Sequence, residues 1–131
     1  TGLMDGLMIA AGRIDDGTVA ENDTYGVKYT MGSITAAYQK TDVDYDAAGT
    51  NDQSSTHMGV SIAVNENLSV SAGRMDVEID TASDDEENTG FNASYTMGSI
   101  TLGGGFNQVK NISGSNGSDA EVAMFNAAFA F

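Results

Sequence analysis

The sequence of 131 residues contains no cysteine, no proline and no tryptophan. Without cysteine there is no disulfide framework, no thiol nucleophile and no cysteine-based metal site. Histidine occurs once, at His57, and no G-x-S-x-G nucleophile elbow accompanies it, so no hydrolase triad is indicated. We therefore expect that the protein is not an enzyme.

Positive charge is scarce, with five Lys and Arg against 19 Asp and Glu and a formal net charge of −14. Binding to nucleic acid requires a basic face that neutralises phosphates, so we exclude a nucleic-acid partner. Long hydrophobic runs are also missing. The longest, Leu7 to Ala11, is far below the ~20 apolar residues of a membrane-spanning helix, although a spanning strand needs only ~9–11 residues.

Apolar residues alternate with small or polar residues through most of the chain. In residues 91–97, for example, Phe, Ala, Tyr and Met alternate with Asn, Ser and Thr. A hydrophobic period of two predicts β-strands. We predict eight strands, at residues 3–14, 23–31, 34–44, 55–64, 68–78, 88–97, 100–110 and 121–131.

The predicted connections alternate between two kinds. Tight turns lie at 32–33, 65–67 and 98–99, whereas the connections near 15–22, 45–54, 79–87 and 111–120 are long, polar and acidic. The middle parts of the strands are almost free of charge, as a hydrocarbon layer requires. Together these features predict an all-β fold, an antiparallel up-and-down transmembrane barrel, with residues 1–131 as a single segment.

An internal repeat supports a strand-by-strand architecture. Residues 11–15, Ala-Gly-Arg-Ile-Asp, match residues 72–76, Ala-Gly-Arg-Met-Asp, in four of five letters. Residues 29–35 match residues 95–101 in all seven letters, Tyr-Thr-Met-Gly-Ser-Ile-Thr. One repeat therefore corresponds to about four strands, and the length difference falls in a loop.

The face opposite the apolar residues is small and mostly neutral. We predict that this face lines a water-filled channel, with the lining residues Lys28, Thr30, Thr35, Gln39, Ser61, Ser69, Ser71, Asn92, Ser94, Thr96, Thr101 and Asn126. Such side chains would leave the interior of an eight-stranded barrel underfilled. We therefore expect that the chain supplies about half of a barrel of ~16 strands.

The last strand and the repeated strings resemble a known family. The alternation that ends in Phe129 and Phe131 is similar to the C-terminal strand of bacterial outer-membrane proteins, and the Gly-Arg-Met-Asp and Tyr-Thr-Met-Gly-Ser-Ile-Thr strings resemble general porins of α-proteobacteria. The resemblance covers the chain as the C-terminal half of such a porin. It implies a homotrimeric passive diffusion channel for small hydrophilic solutes and ions in the outer membrane of a Gram-negative bacterium.

The same resemblance implies partners and an orientation. The outer-membrane assembly machinery would read Phe131 and Phe129 as an insertion signal, the C-terminus would lie on the periplasmic side, and the wall would contact lipid and lipopolysaccharide. A constriction loop belongs to the N-terminal half of such porins, so the residues of this chain determine only part of the selectivity of the channel. The acidic long loops predict a negative vestibule that favours cations at low salt.

Acidic runs at the strand ends raise the question of a metal. Asp42, Asp44 and Asp46 alternate, as do Asp76, Glu78 and Asp80, and carboxylate oxygens are the ligands that Ca²⁺ prefers. Neither run continues with the glycine and distal glutamate of an EF-hand loop, and a solvated strand end gives the same alternation without a metal. We therefore expect no cofactor, with Ca²⁺ at the acidic loops as the open alternative.

Two arginines and one lysine also have two interpretations each. Arg13 and Arg74 occupy equivalent repeat positions and either contact lipid phosphates or form salt bridges with the neighbouring Asp15 and Asp76, the second being favoured. Lys28 either belongs to a basic wall that sets a field in the channel or is a single solvated side chain.

Two other overall functions remain open at this stage. A complete eight-stranded barrel could act as an anchor or adhesin, and pairing between the first and last strands would identify it. A secreted acidic β-protein that binds Ca²⁺ is the other, although it leaves the charge-free middle band unexplained.

Overall fold

The computed structural model describes residues 5–15, 17, 20–45 and 52–130. It contains eight strands and one short 3₁₀ turn at Ile112–Gly114. The strands are β1 (Leu7–Asp15), β2 (Ala20–Met31), β3 (Ile34–Tyr45), β4 (Gln53–Ala63), β5 (Leu68–Ile79), β6 (Glu86–Met97), β7 (Ile100–Lys110) and β8 (Ala120–Phe129). No helix in this part of the chain is long and apolar enough to cross a membrane.

All eight strands form one antiparallel sheet in which each strand pairs with the next along the chain. The predicted all-β, up-and-down arrangement is therefore confirmed. In the described residues β1 and β8 are the two edges of the sheet, and no ladder joins them. A complete eight-stranded barrel requires that ladder, so the described strands correspond to a portion of a larger wall.

Several strand boundaries differ from the predicted ones. β2 begins at Ala20 and β4 at Gln53, both earlier than predicted, because the ladders continue into polar residues that carry no hydrophobic signal. β1 begins at Leu7, since Asp5 and Gly6 form a turn; residues 3–4 lie outside the described residues. β8 ends at Phe129, and Phe131 is likewise outside the described part.

The short connections are hairpin turns whose first residue needs a left-handed backbone. Gly32 and Gly98 both have φ of 60°, and each is followed by a serine before the next strand begins. Glycine with positive φ at the first central position is the arrangement of a type II′ turn, which matches the twist of the flanking strands. The β4–β5 connection is closed differently, because Oδ1 of Asn65 accepts hydrogen bonds at 2.9 Å from the backbone N–H groups of Asn67 and Leu68.

The sheet has no core of its own. None of the hydrophobic residues in the described ranges is buried, and large side chains such as Phe91, Met97 and Phe125 are 52%, 60% and 76% exposed. Apolar patches of this extent are rare on water-soluble monomers and mark a surface that contacts lipid or protein.

We predict that Gly98→Val weakens the β6–β7 hairpin by about 1–3 kcal/mol, because a β-branched residue is strained at positive φ. The measurement is the free energy of unfolding in urea of the protein folded into lipid vesicles. The control is Ser99→Val, a neighbouring turn residue that does not have positive φ. Equal losses in the two variants would contradict the type II′ assignment.

Candidate functional site

The two faces of the sheet follow directly from the strand registers. Residues that lie opposite each other on antiparallel strands point to the same side, so each row of opposed residues crosses the sheet on one face. One such row runs from Thr30 through Thr35, Ser61 and Ser71 to Asn92. This face is concave, since it forms two broad grooves of about 720 and 640 Å³.

The twelve residues predicted to line a channel all share the phase of the concave face. Nine of them line the two grooves, namely Lys28, Thr35, Gln39, Ser61, Ser69, Ser71, Asn92, Ser94 and Asn126. The other three, Thr30, Thr96 and Thr101, lie at the end with the short turns. There the hydroxyls of Thr30 and Thr35 are 3.1 Å apart, and those of Thr96 and Thr101 are also 3.1 Å apart.

Asparagine and glycine form three directly opposed pairs on the concave face of β6, β7 and β8. The pairs are Asn92 with Gly105, Asn107 with Gly90, and Asn126 with Gly103. In each pair a methyl group added to the glycine would collide with Oδ1 of the asparagine. Each amide therefore lies over its glycine, in the space that a side chain would occupy.

Asn107 also belongs to this face, although it is not among the twelve predicted lining residues. Its signal was present in the sequence, because Asn107 has the same period as Gly105 and Gly103 on β7. The pairing of each amide with a glycine depends on the register between strands, which the periodicity of a single strand does not contain.

Charge is sparse on the concave face of the described strands. The register assigns to it one cation, Lys28 on β2, and one carboxylate, Glu86 at the start of β6. His57 on β4 lies opposite Gln39 of β3 and is also on this side. Most of the concave wall is therefore neutral, despite the formal net charge of −14.

The convex face has an apolar band followed by a charged rim. On β6 the uncharged convex positions run from Thr89 to Met97, nine residues or roughly 27 Å of strand at ~3.4 Å per residue. Beyond the band, towards the long connections, the same face carries ion pairs. Arg13 pairs with Glu21, and Nε of Arg74 lies 2.8 Å from a carboxylate oxygen of Asp76.

Comparison with known proteins agrees with this two-faced sheet. The family model for Gram-negative porins matches residues 6–131. The chain belongs to the Gram-negative porin family. Searches of curated proteins and of solved structures gave no match. As a member of this family the porin is located in the outer membrane, and porins are in general not enzymes.

Both repeat arginines of the porin pair with carboxylates, as the sequence favoured, but Arg13 pairs with residues of the neighbouring strand β2 rather than with the predicted Asp15. Both point outward at the rim. Arg13 contacts Glu21 and lies 3.6 Å from Asp23, whereas Arg74 bridges Asp76 on its own strand and Glu87 on β6, at 2.8 and 2.9 Å. These pairs are exposed, so each contributes little to stability.

The acidic runs at the ends of β3 and β5 also point outward. Asp42 and Asp76 share the convex face with the band, and so do Asp44 and Glu78 by their period. Asp42 lies 2.9 Å from Nζ of Lys40 and accepts a hydrogen bond at 2.8 Å from Ser54. The physical reason is that the period of two continues past the apolar band without a bulge.

No cluster of three or more potential metal ligands occurs in the part of the chain that the structure describes. Asp80 lies beyond the end of β5, where its backbone N–H donates to the carbonyl of Asp52 at 3.2 Å, and Asp46 is outside the described residues. The calcium alternative therefore stays a prediction without a described ligand set.

The residues of the predicted assembly signal are only partly described. Phe129 ends β8 on the convex face, opposite Ile100, and is 58% exposed. Phe131 is outside the described residues. The role of both residues in assembly stays a prediction.

Two of the long connections contact each other. Nδ2 of Asn111 donates to the carbonyl of Asp85 at 3.1 Å, and Nδ2 of Asn116 donates to Asp84 at 2.6 Å. The backbone N–H of Ser113 donates to Glu86 at 2.7 Å. The β5–β6 and β7–β8 connections of the porin thus form one hydrogen-bonded unit at the end with the long loops.

Proposed function

We propose that this porin segment forms about half the wall of a water-filled channel of ~16 strands, through which small hydrophilic solutes and ions diffuse passively. The observation that carries the proposal is the opposition of the two faces. The convex face is apolar and uncharged over the length of a membrane-crossing strand, whereas the concave face of the central strands is small, mostly polar and nearly neutral, with the larger apolar residues Met8 and Met124 on the edge strands.

The absence of buried hydrophobic residues in the described ranges supports lipid as the solvent of the convex face. A secreted water-soluble β-protein would bury its apolar side in a core. Here Val60 and Leu102 are 40% and 39% exposed on strands that are fully paired to both neighbours. Lipid accepts such a surface without cost, provided that no charge faces it.

The edges of the sheet support a barrel larger than eight strands. Unpaired N–H and C=O groups are expensive in lipid, where no water satisfies them, so β1 and β8 each require a partner strand. The concave face also lacks the bulk to fill a closed eight-stranded barrel, because glycines and serines dominate its central rows. Partner strands from the rest of the same barrel meet both requirements.

The arrangement supports an orientation and a set of partners. We assign the short turns and the C-terminal strand to the periplasmic side and the long acidic connections to the exterior. The charged rim then lies at the level of the lipopolysaccharide headgroups. A homotrimer, and recognition of Phe129 and Phe131 by the outer-membrane assembly machinery, complete the proposal and rest on the family.

Arginine substitutions at two consecutive residues of β5 test which face of the sheet contacts lipid. We expect Val70→Arg to lower the stability of the barrel by about 2–4 kcal/mol, because Val70 lies opposite Ala93, at the middle of the convex apolar band that faces hydrocarbon. Ser71→Arg is the matched control, since its side chain points into the channel. The measurement is the urea unfolding free energy of the full-length porin in lipid vesicles. Equal destabilisation by both variants would argue against a lipid-facing convex side.

Substituted cysteines test whether the concave face lines an ion path. The sequence has no cysteine, so each variant carries a single thiol in this chain. We expect Ser71→Cys to react with a charged, water-soluble thiol reagent and to lose single-channel conductance in planar bilayers, because the adduct occupies the channel. Val70→Cys is the control. A conductance unaffected by modification of Ser71→Cys would contradict the channel.

The placement of charge predicts ion selectivity. We expect Lys28→Glu to shift the reversal potential towards cations at low salt, and the shift to fade as salt screens it. Neutralising the convex acids with Asp42→Asn and Asp76→Asn is the control, and we expect it to leave the reversal potential unchanged. A control shift as large as that of Lys28→Glu would mean that the acidic rim, not the concave face, governs selectivity.

A further inference from the structure

We propose that the concave wall of β6, β7 and β8 holds a subsite for neutral, hydroxyl-rich solutes such as sugars. The subsite consists of the three asparagine amides that lie over glycines, together with the neighbouring serine hydroxyls. This inference rests on the proposed channel function and names a class of solute that the channel would favour.

The geometry gives the subsite a floor of amides and hydroxyls on β5, β6 and β7, which Met124 and Val122 border on β8. Asn92 lies on β6, Asn107 on β7 and Asn126 on β8, each in a different row of opposed residues. Neighbouring strands are ~4.8 Å apart, and neighbouring rows on one face are roughly 7 Å apart. Since each amide fills the space over a glycine, no side chain of the opposing residue projects beside it into the channel. A sugar ring can therefore lie against the wall and contact more than one amide.

The polar atoms of the patch are available to a solute. Asn92 and Asn126 are exposed and Asn107 is half-buried, and all three line the concave grooves. A primary amide offers two N–H donors and one carbonyl acceptor, and each hydroxyl of a sugar both donates and accepts. Ser71 lies opposite Asn92, and Ser94 lies opposite Gly103, so hydroxyls border the amides on two sides.

The neutrality of the patch selects against ions as its ligands. No charged residue lies in its three central rows, which contain Ser69, Ser71 and Gly73 on β5 and Gly90, Asn92 and Ser94 on β6, with their partners on β7 and β8. Glu86 is six residues along β6 from Asn92, or roughly 20 Å of strand. Lys28 is four strands away from β6, or roughly 19 Å around the sheet. A solute bound here gains hydrogen bonds but no charge pairing.

Titration with sucrose tests the subsite in single channels of the full-length porin. Binding of an uncharged sugar reduces the KCl current, and the concentration dependence of that reduction gives an affinity. We expect the double variant Asn92→Leu and Asn107→Leu, which keeps the side-chain volume and removes both amides, to bind sucrose about tenfold more weakly. Its open-channel KCl current without sugar is recorded first, so that the sucrose affinity of each variant is measured against its own conductance.

The matched control is Gln108→Leu. It removes an amide from the residue next to Asn107, but on the convex face, where Gln108 donates to Glu121 at 2.7 Å. We expect its sucrose affinity to equal that of the wild type.

If the leucine pair forms no channels, Asn92→Ala and Asn107→Ala replace it. These changes widen the lumen, so the proposal expects higher KCl conductance together with weaker sucrose binding. A purely steric wall would instead leave the sucrose affinity unchanged.

The outcomes separate this inference from the proposed function. Wild-type channels whose current responds to sucrose only through solution viscosity, or variants with unchanged affinity, would overturn the subsite and leave the channel intact. A full-length porin that forms no channel at all would overturn the proposed function, and the subsite with it.

Discussion

The need to pair every backbone N–H and C=O group governs this structure. In lipid no water satisfies an unpaired group, so a strand that crosses the membrane must have a partner on each side. The seven ladders from β1 to β8 meet this need continuously, and strand follows strand without a crossover. Pairing in place of a packed core also explains how the sheet exists with no buried hydrophobic residue in its described part.

The same ladders hold each side chain on one of two faces. Since the period of two is unbroken along each strand, one phase carries both the apolar band and the charged rim beyond it, and the other phase carries the polar wall. Val70 and Asp76 thus point to the same side although one belongs in hydrocarbon and the other in water. Along the strands, towards the long connections, the convex surface changes from apolar to charged, whereas the concave surface stays mostly neutral.

Much of this arrangement is predictable from sequence because it depends on local alternation. The eight strands, the Gly-Ser turns at 32–33 and 98–99 and the phase of the lining residues all follow from period and turn chemistry. The outward direction of Asp42 and Asp76 followed from the same period. The first residues of β2 and β4 were missed, because polar residues at the end of a strand carry no hydrophobic signal.

The asparagine–glycine pairs show where local reasoning ends. Glycine in a strand normally weakens it, because it adds backbone entropy to the unfolded chain and offers no side chain to pack. From the sequence of β7 alone, Gly103 and Gly105 therefore only reduce the stability of the strand. Across the ladder each opposes an asparagine whose amide needs that space. The amide surface therefore depends on the residues of two neighbouring strands together. Its chemistry is a property of register rather than of any one segment, and so a change to either member of a pair alters the surface that a passing solute meets.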